Sequence, residues 1–172
     1  MRKFEASSEV VKVNGETILA FAEAIPNLKE QRLATLKKHG LMPIAGQWYP
    51  QQKWLDAFKE IAGGSQVSLK LIGQAIIDHA KFPPIDNTEQ AFKVLDKAYK
   101  LNHKGGYIGY YKFVSFDQQK KEIVMDINTP YPEEFDKGIL LSLFRRFKPT
   151  NALNKVHCEI KRKDTLIYRL TW

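Results

Sequence analysis

The feature that most constrains the fold of this chain is a change in the spacing of its apolar residues near residue 107. Before that point they recur every three to four residues, which is typical of helices that bury one face. After it they alternate in segments 107–116 and 122–128, and again in segments 155–162 and 165–172. A helix-like segment, 132–148, separates the two alternating pairs. The second half therefore predicts the order strand, strand, helix, strand, strand.

Helices are predicted throughout the first half from their start and stop signals, which are mainly proline, glycine and capping residues. We therefore expect an α+β fold, in which a helical N-terminal part, residues 1–104, packs on a four-stranded antiparallel sheet in residues 105–172. At 172 residues the chain fits a single domain. The predicted helices of the first half span 15–25, 29–39, 50–61 and 68–80, and a fifth begins at residue 88.

The helix predicted at 132–148 is acidic at its front and basic at its back. Carboxylates suit the positive end of a helix dipole and cations the negative end, so this charge pattern needs only helix stability to explain it. Its apolar residues recur at helical spacing and predict one buried stripe. That stripe comprises Phe135, Ile139, Leu143, Phe144 and Phe147.

Charge and composition limit the partners of this chain. The net charge is +8, but residues 1–85 carry +3 and residues 86–172 carry +5, so no concentrated basic stripe favours nucleic acid. No run of apolar residues is long enough to span a membrane or to form a signal peptide. The single cysteine, Cys158, cannot form an internal disulfide, and no zinc-binding spacing is present. We expect a cytoplasmic protein without membrane insertion.

Three stretches carry a family resemblance: LNHKGGYIGYYKF, INTPYPEEFDKGILLSLFRRF and HCEIKRKDTLIYRLTW. Together they resemble the ligand-binding fold shared by 4-vinyl-reductase-type domains, haem nitric-oxide/oxygen (H-NOX) sensors and TRAPP vesicle-tethering subunits. The layout is similar over residues 15–172, and the motifs lie in the C-terminal 70 or so residues. The resemblance implies a ligand pocket between helices and sheet, and a homodimer.

The resemblance also raises haem as a cofactor. H-NOX proteins hold haem through a histidine on the helix before the sheet and clamp its propionates with a Tyr-x-Ser-x-Arg motif. His103 lies near that element, but the clamp is absent, because the segment from Tyr111 to Ser115 does not fit it. Haem is therefore disfavoured and the cofactor stays unknown. Vinyl-reductase-type domains often carry several cysteines, whereas Cys158 stands alone and predicts no metal site.

Five residues are candidates for ligand binding by their position in the predicted elements: His79, His103, Tyr107, Tyr110 and Tyr131. Four of them have a structural alternative. The two histidines also suit helix C-termini, where a cation is favourable, and the tyrosines of the first strand also suit core packing.

No catalytic residue is predicted. Cys158 alternates with buried positions, and its neighbour His157 points to the opposite face of the strand, so the two cannot form a nucleophile and base. The leading hypothesis is a non-catalytic sensory or regulatory domain that binds a small apolar or planar molecule. A TRAPP-like dimerisation module is the first alternative, and a basic nucleic-acid-binding protein is the second.

Overall fold

The computed structural model describes residues 1–63, 65–79, 84–149, 155–162 and 164–172, without the side chains of residues 78 and 79. Six α-helices and seven strands occur in this part of the chain, and their order confirms the predicted α+β class. The fourth helix begins at Gln66, two residues before the predicted start. The helices are α1 (Gly15–Glu23), α2 (Lys29–Lys38), α3 (Gln51–Ala62), α4 (Gln66–His79), α5 (Thr88–Leu101) and α6 (Glu133–Phe147).

The four-stranded antiparallel sheet has the predicted strand, strand, helix, strand, strand order. Its strands are β4 (Tyr110–Asp117), β5 (Glu122–Asn128), β6 (His157–Arg162) and β7 (Leu166–Thr171), and they lie side by side in the order β4-β5-β7-β6. The strand predicted at residue 107 begins only at Tyr110. Gly109 has a left-handed φ of +88°, and a Cβ on it would meet the Asn128 carbonyl oxygen at 2.0 Å, so the chain turns tightly before the strand begins.

A second antiparallel sheet, which the sequence did not predict, lies among the helices. It comprises β1 (Lys12–Asn14), β2 (Trp48–Pro50) and β3 (His103–Lys104), with β1 in the centre. Val13 pairs with Tyr49 on one side and with His103 on the other. Strands of two or three residues are too short to show an alternating pattern. This sheet fixes the end of α5, because β3 follows that helix directly.

Helix α6 crosses α4 at close range. A Cβ on Gly73 of α4 would lie 2.1 Å from the carbonyl oxygen of Phe135, and one on Gly138 would lie 2.2 Å from that of Lys70, so both glycines permit the contact. On the sheet side, the rings of Phe144 and Trp172 are 5.0 Å apart. Helix α6 is therefore buried more widely than the single predicted stripe, and Leu140, Leu141 and Ser142 are buried as well.

The core is continuous from the helices to the inner face of the four-stranded sheet. Trp54 and Phe58 of α3 stack with their centroids 5.4 Å apart, and Phe21 meets both rings edge-on. Among the described residues, no helix is both long enough and apolar enough to cross a membrane.

Candidate functional site

A cavity of about 80 Å³ lies between the helices and β4. Its walls are mainly apolar side chains from four helices, with Tyr111 of β4 and Tyr131 of the segment before α6 completing them. It lies between helices and sheet, the region in which the family resemblance implies a ligand pocket, and its use as a binding site stays a prediction. The apolar wall residues are Trp54, Ile76, Ile77, Leu95, Ala98, Phe135 and Ile139.

The polar core of the wall is a hydrogen-bonded chain through His103. The imidazole Nδ1 lies 2.9 Å from the carbonyl oxygen of Tyr99, and Nε2 lies 2.8 Å from the hydroxyl of Tyr131. Because a carbonyl can only accept, Nδ1 carries the proton. In the neutral ring Nε2 then accepts from the Tyr131 hydroxyl. The indole N–H of Trp54 donates to the same hydroxyl oxygen at 3.2 Å.

Burial keeps this chain of groups uncharged. Desolvation lowers the pKa of His103 to about 4, so the imidazole is neutral near pH 7. The same cause raises the pKa of Tyr99 and of Tyr131 above the ordinary range. The cavity therefore offers no formal charge from His103 or from either tyrosine.

The other polar wall groups are also turned toward protein partners. The hydroxyl of Tyr99 donates to the carbonyl of Ile108, and the hydroxyl of Thr17 bonds to the side-chain oxygen of Asn102 at 3.3 Å. The Tyr111 hydroxyl donates to Asp136 at 2.5 Å. These groups meet their hydrogen-bonding needs within the protein, so the wall presents mainly carbon to the cavity.

One fully buried side-chain amide lies beside the hydrogen-bonded groups around His103. Gln51, the first residue of α3, is 0% exposed, and neither its Oε1 nor its Nε2 has a hydrogen-bond partner among the described residues. Gln51 acts to lower the pKa of Tyr131. Burial of Tyr131 raises that pKa by more, so the hydroxyl stays protonated. Gln51 is therefore a buried amide near the cavity wall whose hydrogen-bonding capacity the described residues leave largely unmet.

The structure brings two of the five candidate residues together. His103 and Tyr131 meet in the cavity wall, whereas Tyr107 is 56% exposed outside it. Tyr110 lies in a surface groove between α5 and β4, with its hydroxyl 3.4 Å from Asp126. The side chain of His79 lies outside the described residues. Whether these residues bind a ligand stays a prediction.

Sequence reasoning missed four residues of the cavity and its surroundings: Trp54, Tyr99, Tyr111 and Asp136. Tyr99 lies in the predicted fifth helix and Tyr111 in the first predicted strand, and nothing in either pattern signals a role for their hydroxyl groups. Asp136 belongs to the acidic front of the helix predicted at 132–148, which the helix dipole alone explains, but in the structure it is fully buried.

Cys158 is buried on its strand, and desolvation raises the pKa of its thiol to about 12. A thiol in that state is a poor nucleophile near neutral pH. Among the described residues, no group of three or more histidine, cysteine, aspartate or glutamate side chains is arranged to hold a metal ion.

Haem does not fit the residues around this cavity. Both ring nitrogens of His103 are engaged by Tyr99 and Tyr131, so neither is free for iron. The cavity volume of about 80 Å³ is far below the roughly 300–1,000 Å³ of typical small-molecule sites. Within the described part of the chain, no lysine or arginine lines the cavity to pair with propionates.

The sequence matches no protein-family model, and no curated protein sequence matches it. Solved structures do match its fold. An H-NOX protein from S. oneidensis in the Fe(II)NO ligation state gives a TM-score of 0.67 at 12% identity, over 91% of this chain and 97% of that chain. An H-NOX structure used to probe haem distortion gives a TM-score of 0.66 at 14% identity, over 93% of this chain and 95% of that chain. An H-NOX structure used to study the mechanism of activation gives a TM-score of 0.60 at 14% identity, over 90% of this chain and 93% of that chain.

These matches confirm the H-NOX part of the resemblance at the level of fold. The similarity to 4-vinyl-reductase-type domains and to TRAPP subunits stays a prediction. The chain has an H-NOX-like fold.

Proposed function

We propose that this protein is a non-catalytic sensory or regulatory domain that binds a small, uncharged, apolar molecule between its helices and its sheet. The observation that carries the proposal is the apolar cavity whose polar wall groups bond to partners within the protein. The H-NOX-like fold supports it, because the matching S. oneidensis protein was solved with a small molecule, NO, on its iron. A different ligand chemistry is needed for this chain, since its residues do not fit haem.

The cavity sets the character of the ligand. A charged ligand would lose its hydration without meeting a charged partner, because His103, Tyr99 and Tyr131 are all neutral there. An apolar ligand gains by leaving water and disturbs no hydrogen bond. At about 80 Å³ the resting cavity is roughly half the size of an engineered apolar cavity of about 150 Å³ that binds benzene or xenon. Larger ligands require the walls to move.

The test uses xenon as an apolar probe and follows it by ¹²⁹Xe NMR. We expect a saturable shift for the wild type and its loss in Ala98→Leu, because Ala98 lines the cavity and a larger side chain would fill it. Ala20→Leu is the matched control, since Ala20 is also a half-buried helical alanine but lies away from the cavity. A weak, unsaturable shift that is equal in all three proteins would contradict the proposal.

Native mass spectrometry of freshly purified protein complements the xenon experiment. Its comparison with the denatured mass reports both a retained ligand and the number of subunits. A retained neutral mass that Ala98→Leu loses and Ala20→Leu keeps would support binding in this cavity and would give the mass of the ligand. A ligand retained equally by both variants would place it outside this cavity and count against the proposal.

A further inference from the structure

The carboxylate of Asp136 is buried where three parts of the chain meet. Its Oδ1 accepts from the hydroxyl of Tyr111 at 2.5 Å, and its Oδ2 accepts from the hydroxyl of Thr129 at 2.9 Å. The ammonium of Lys3 lies 3.9 Å from Oδ2. Since Tyr111 lines the cavity, one carboxylate links the cavity wall to the N-terminal segment.

Residues 1–6, which we name the N-terminal strap, lie along this group. Lys3 Nζ donates to the carbonyl of Thr129 at 3.0 Å, and the amide of Phe4 donates to the carbonyl of Pro130 at 2.7 Å. The ring of Phe4 meets Phe58 edge-on at 5.9 Å, and Phe58 in turn packs 5.1 Å from Phe135 in the cavity wall. The strap is thus one layer of side chains away from the cavity.

The charges around Asp136 depend on one another. Burial raises the pKa of Asp136 to about 6, while Lys3, Tyr111 and Thr129 act to lower it and Glu133 acts to raise it. Burial also lowers the pKa of Lys3, against the attraction of Asp136 and Glu133. The other titratable groups that feel the field of Asp136 are Tyr99 of α5, Tyr111 of β4, Tyr131 and Tyr168 of β7. Burial raises the pKa of all four, so they stay neutral.

We propose that Asp136 is a proton-operated control point for the cavity: its ionised carboxylate holds the strap in place through Lys3, and its protonation releases the strap. One proton moves from solvent to the carboxylate and removes the counter-charge of Lys3. A mostly buried ammonium without that counter-charge is costly, so Lys3 returns to water and takes Phe4 with it. The contact of Phe4 with Phe58 is then lost, and the wall at Phe135 gains room to move. The effect on the cavity rests on the proposed function, whereas release of the strap does not.

The first experiment measures strap release without any ligand. Amide hydrogen exchange at Phe4 and Ala6, corrected for the intrinsic effect of pH, reports the strap directly, because both amides are hydrogen-bonded when it is docked. From about pH 7.5 to about pH 5 we expect the protection of both amides to fall about tenfold in the wild type. Unchanged protection across this range would overturn the proposal.

Two variants separate the partners. In Lys3→Met the apolar stem remains but the cation is gone, so we expect high protection at both pH values. In Asp136→Asn the counter-charge is always absent, so we expect low protection at both. The control is Glu133→Gln, which removes the other nearby carboxylate and leaves Asp136 in place. It should keep the pH dependence of the wild type with a midpoint at a lower pH, because Glu133 acts to raise the pKa of Asp136. Loss of the pH dependence in Glu133→Gln would overturn the assignment to Asp136.

The second experiment asks whether the strap controls the cavity, with xenon as the probe. We expect the xenon exchange rate to rise about tenfold at the lower pH in the wild type and to stay constant in Lys3→Met. A strap that opens without changing xenon exchange would overturn the control of the cavity. If xenon does not bind at all, the proposed function fails while the strap measurement still decides the role of Asp136.

Discussion

Tyr131 and His103 are 28 positions apart in the chain, yet the hydroxyl of one donates to Nε2 of the other at 2.8 Å. The bond joins the segment before α6 to the strand that follows α5. It also occupies the ring nitrogen that a metal would need, and it leaves the neutral imidazole with its proton on Nδ1. This hydrogen bond therefore joins two distant segments in the cavity wall and leaves the His103 ring without a free acceptor nitrogen.

Removal of that hydroxyl should destabilise the protein. In Tyr131→Phe the buried Nε2 of His103 and the indole N–H of Trp54 both lose their partner, so we expect a loss of about 1–3 kcal/mol in the free energy of unfolding. Urea denaturation measures the loss. Tyr107→Phe is the matched control, because Tyr107 is 56% exposed, and it should change stability by less than about 0.5 kcal/mol. Equal effects of the two substitutions would contradict this role of Tyr131.

The protein should not take up haem. Expression with a haem precursor, followed by absorption spectroscopy of the pure protein, should give no stoichiometric Soret band, because His103 has no free nitrogen and the cavity is too small. His103→Ala is the control for weak surface binding and should give the same residual absorbance. One haem per chain, lost on this substitution, would contradict the geometry.

Most of the fold was predictable, because long alternating and helical segments carry a strong pattern. The second sheet was not, since no pattern distinguishes strands as short as His103–Lys104. In the site, His103 and Tyr131 both line the cavity, but their contact depends on packing between segments that are distant in sequence, and their role in ligand binding stays a prediction. Asp136 was missed for a physical reason: a carboxylate in the first turn of a helix suits an exposed helix start, and only the tertiary structure buries it.

The crossing of α4 and α6 should not tolerate a methyl group. In Gly73→Ala the new Cβ would lie 2.1 Å from the carbonyl oxygen of Phe135, so the helices must separate, and we expect a loss of about 3 kcal/mol or more in unfolding free energy. Thermal unfolding measures it. Gly46→Ala is the control: nothing lies within 4 Å of the added atom, and only its left-handed φ of +79° costs about 1 kcal/mol. A harmless Gly73→Ala would contradict the close crossing.

The stability of the protein should depend on pH through two buried groups with opposite effects. The pKa of Asp136 is raised from 3.8 to about 6, so the folded state binds this proton more tightly, and its contribution is present at low pH and lost as the pH rises through about 6. The pKa of His103 is lowered from 6.5 to about 4, so its contribution is present above about 6.5 and lost as the pH falls toward 4. Each is on the order of 3 kcal/mol, and the two oppose each other between about pH 4 and 6.5.

Single substitutions should reveal the two contributions separately. Relative to the wild type, Asp136→Asn leaves the histidine effect unopposed, so its free energy of unfolding should fall more steeply as the solution is acidified from about pH 6.5 to pH 4. His103→Phe leaves the aspartate effect unopposed. Over the same range its free energy of unfolding should rise relative to that of the wild type. Urea denaturation at a series of pH values measures both differences. Differences that do not vary with pH, or that vary with the same sign, would show that these two groups do not titrate as their burial requires.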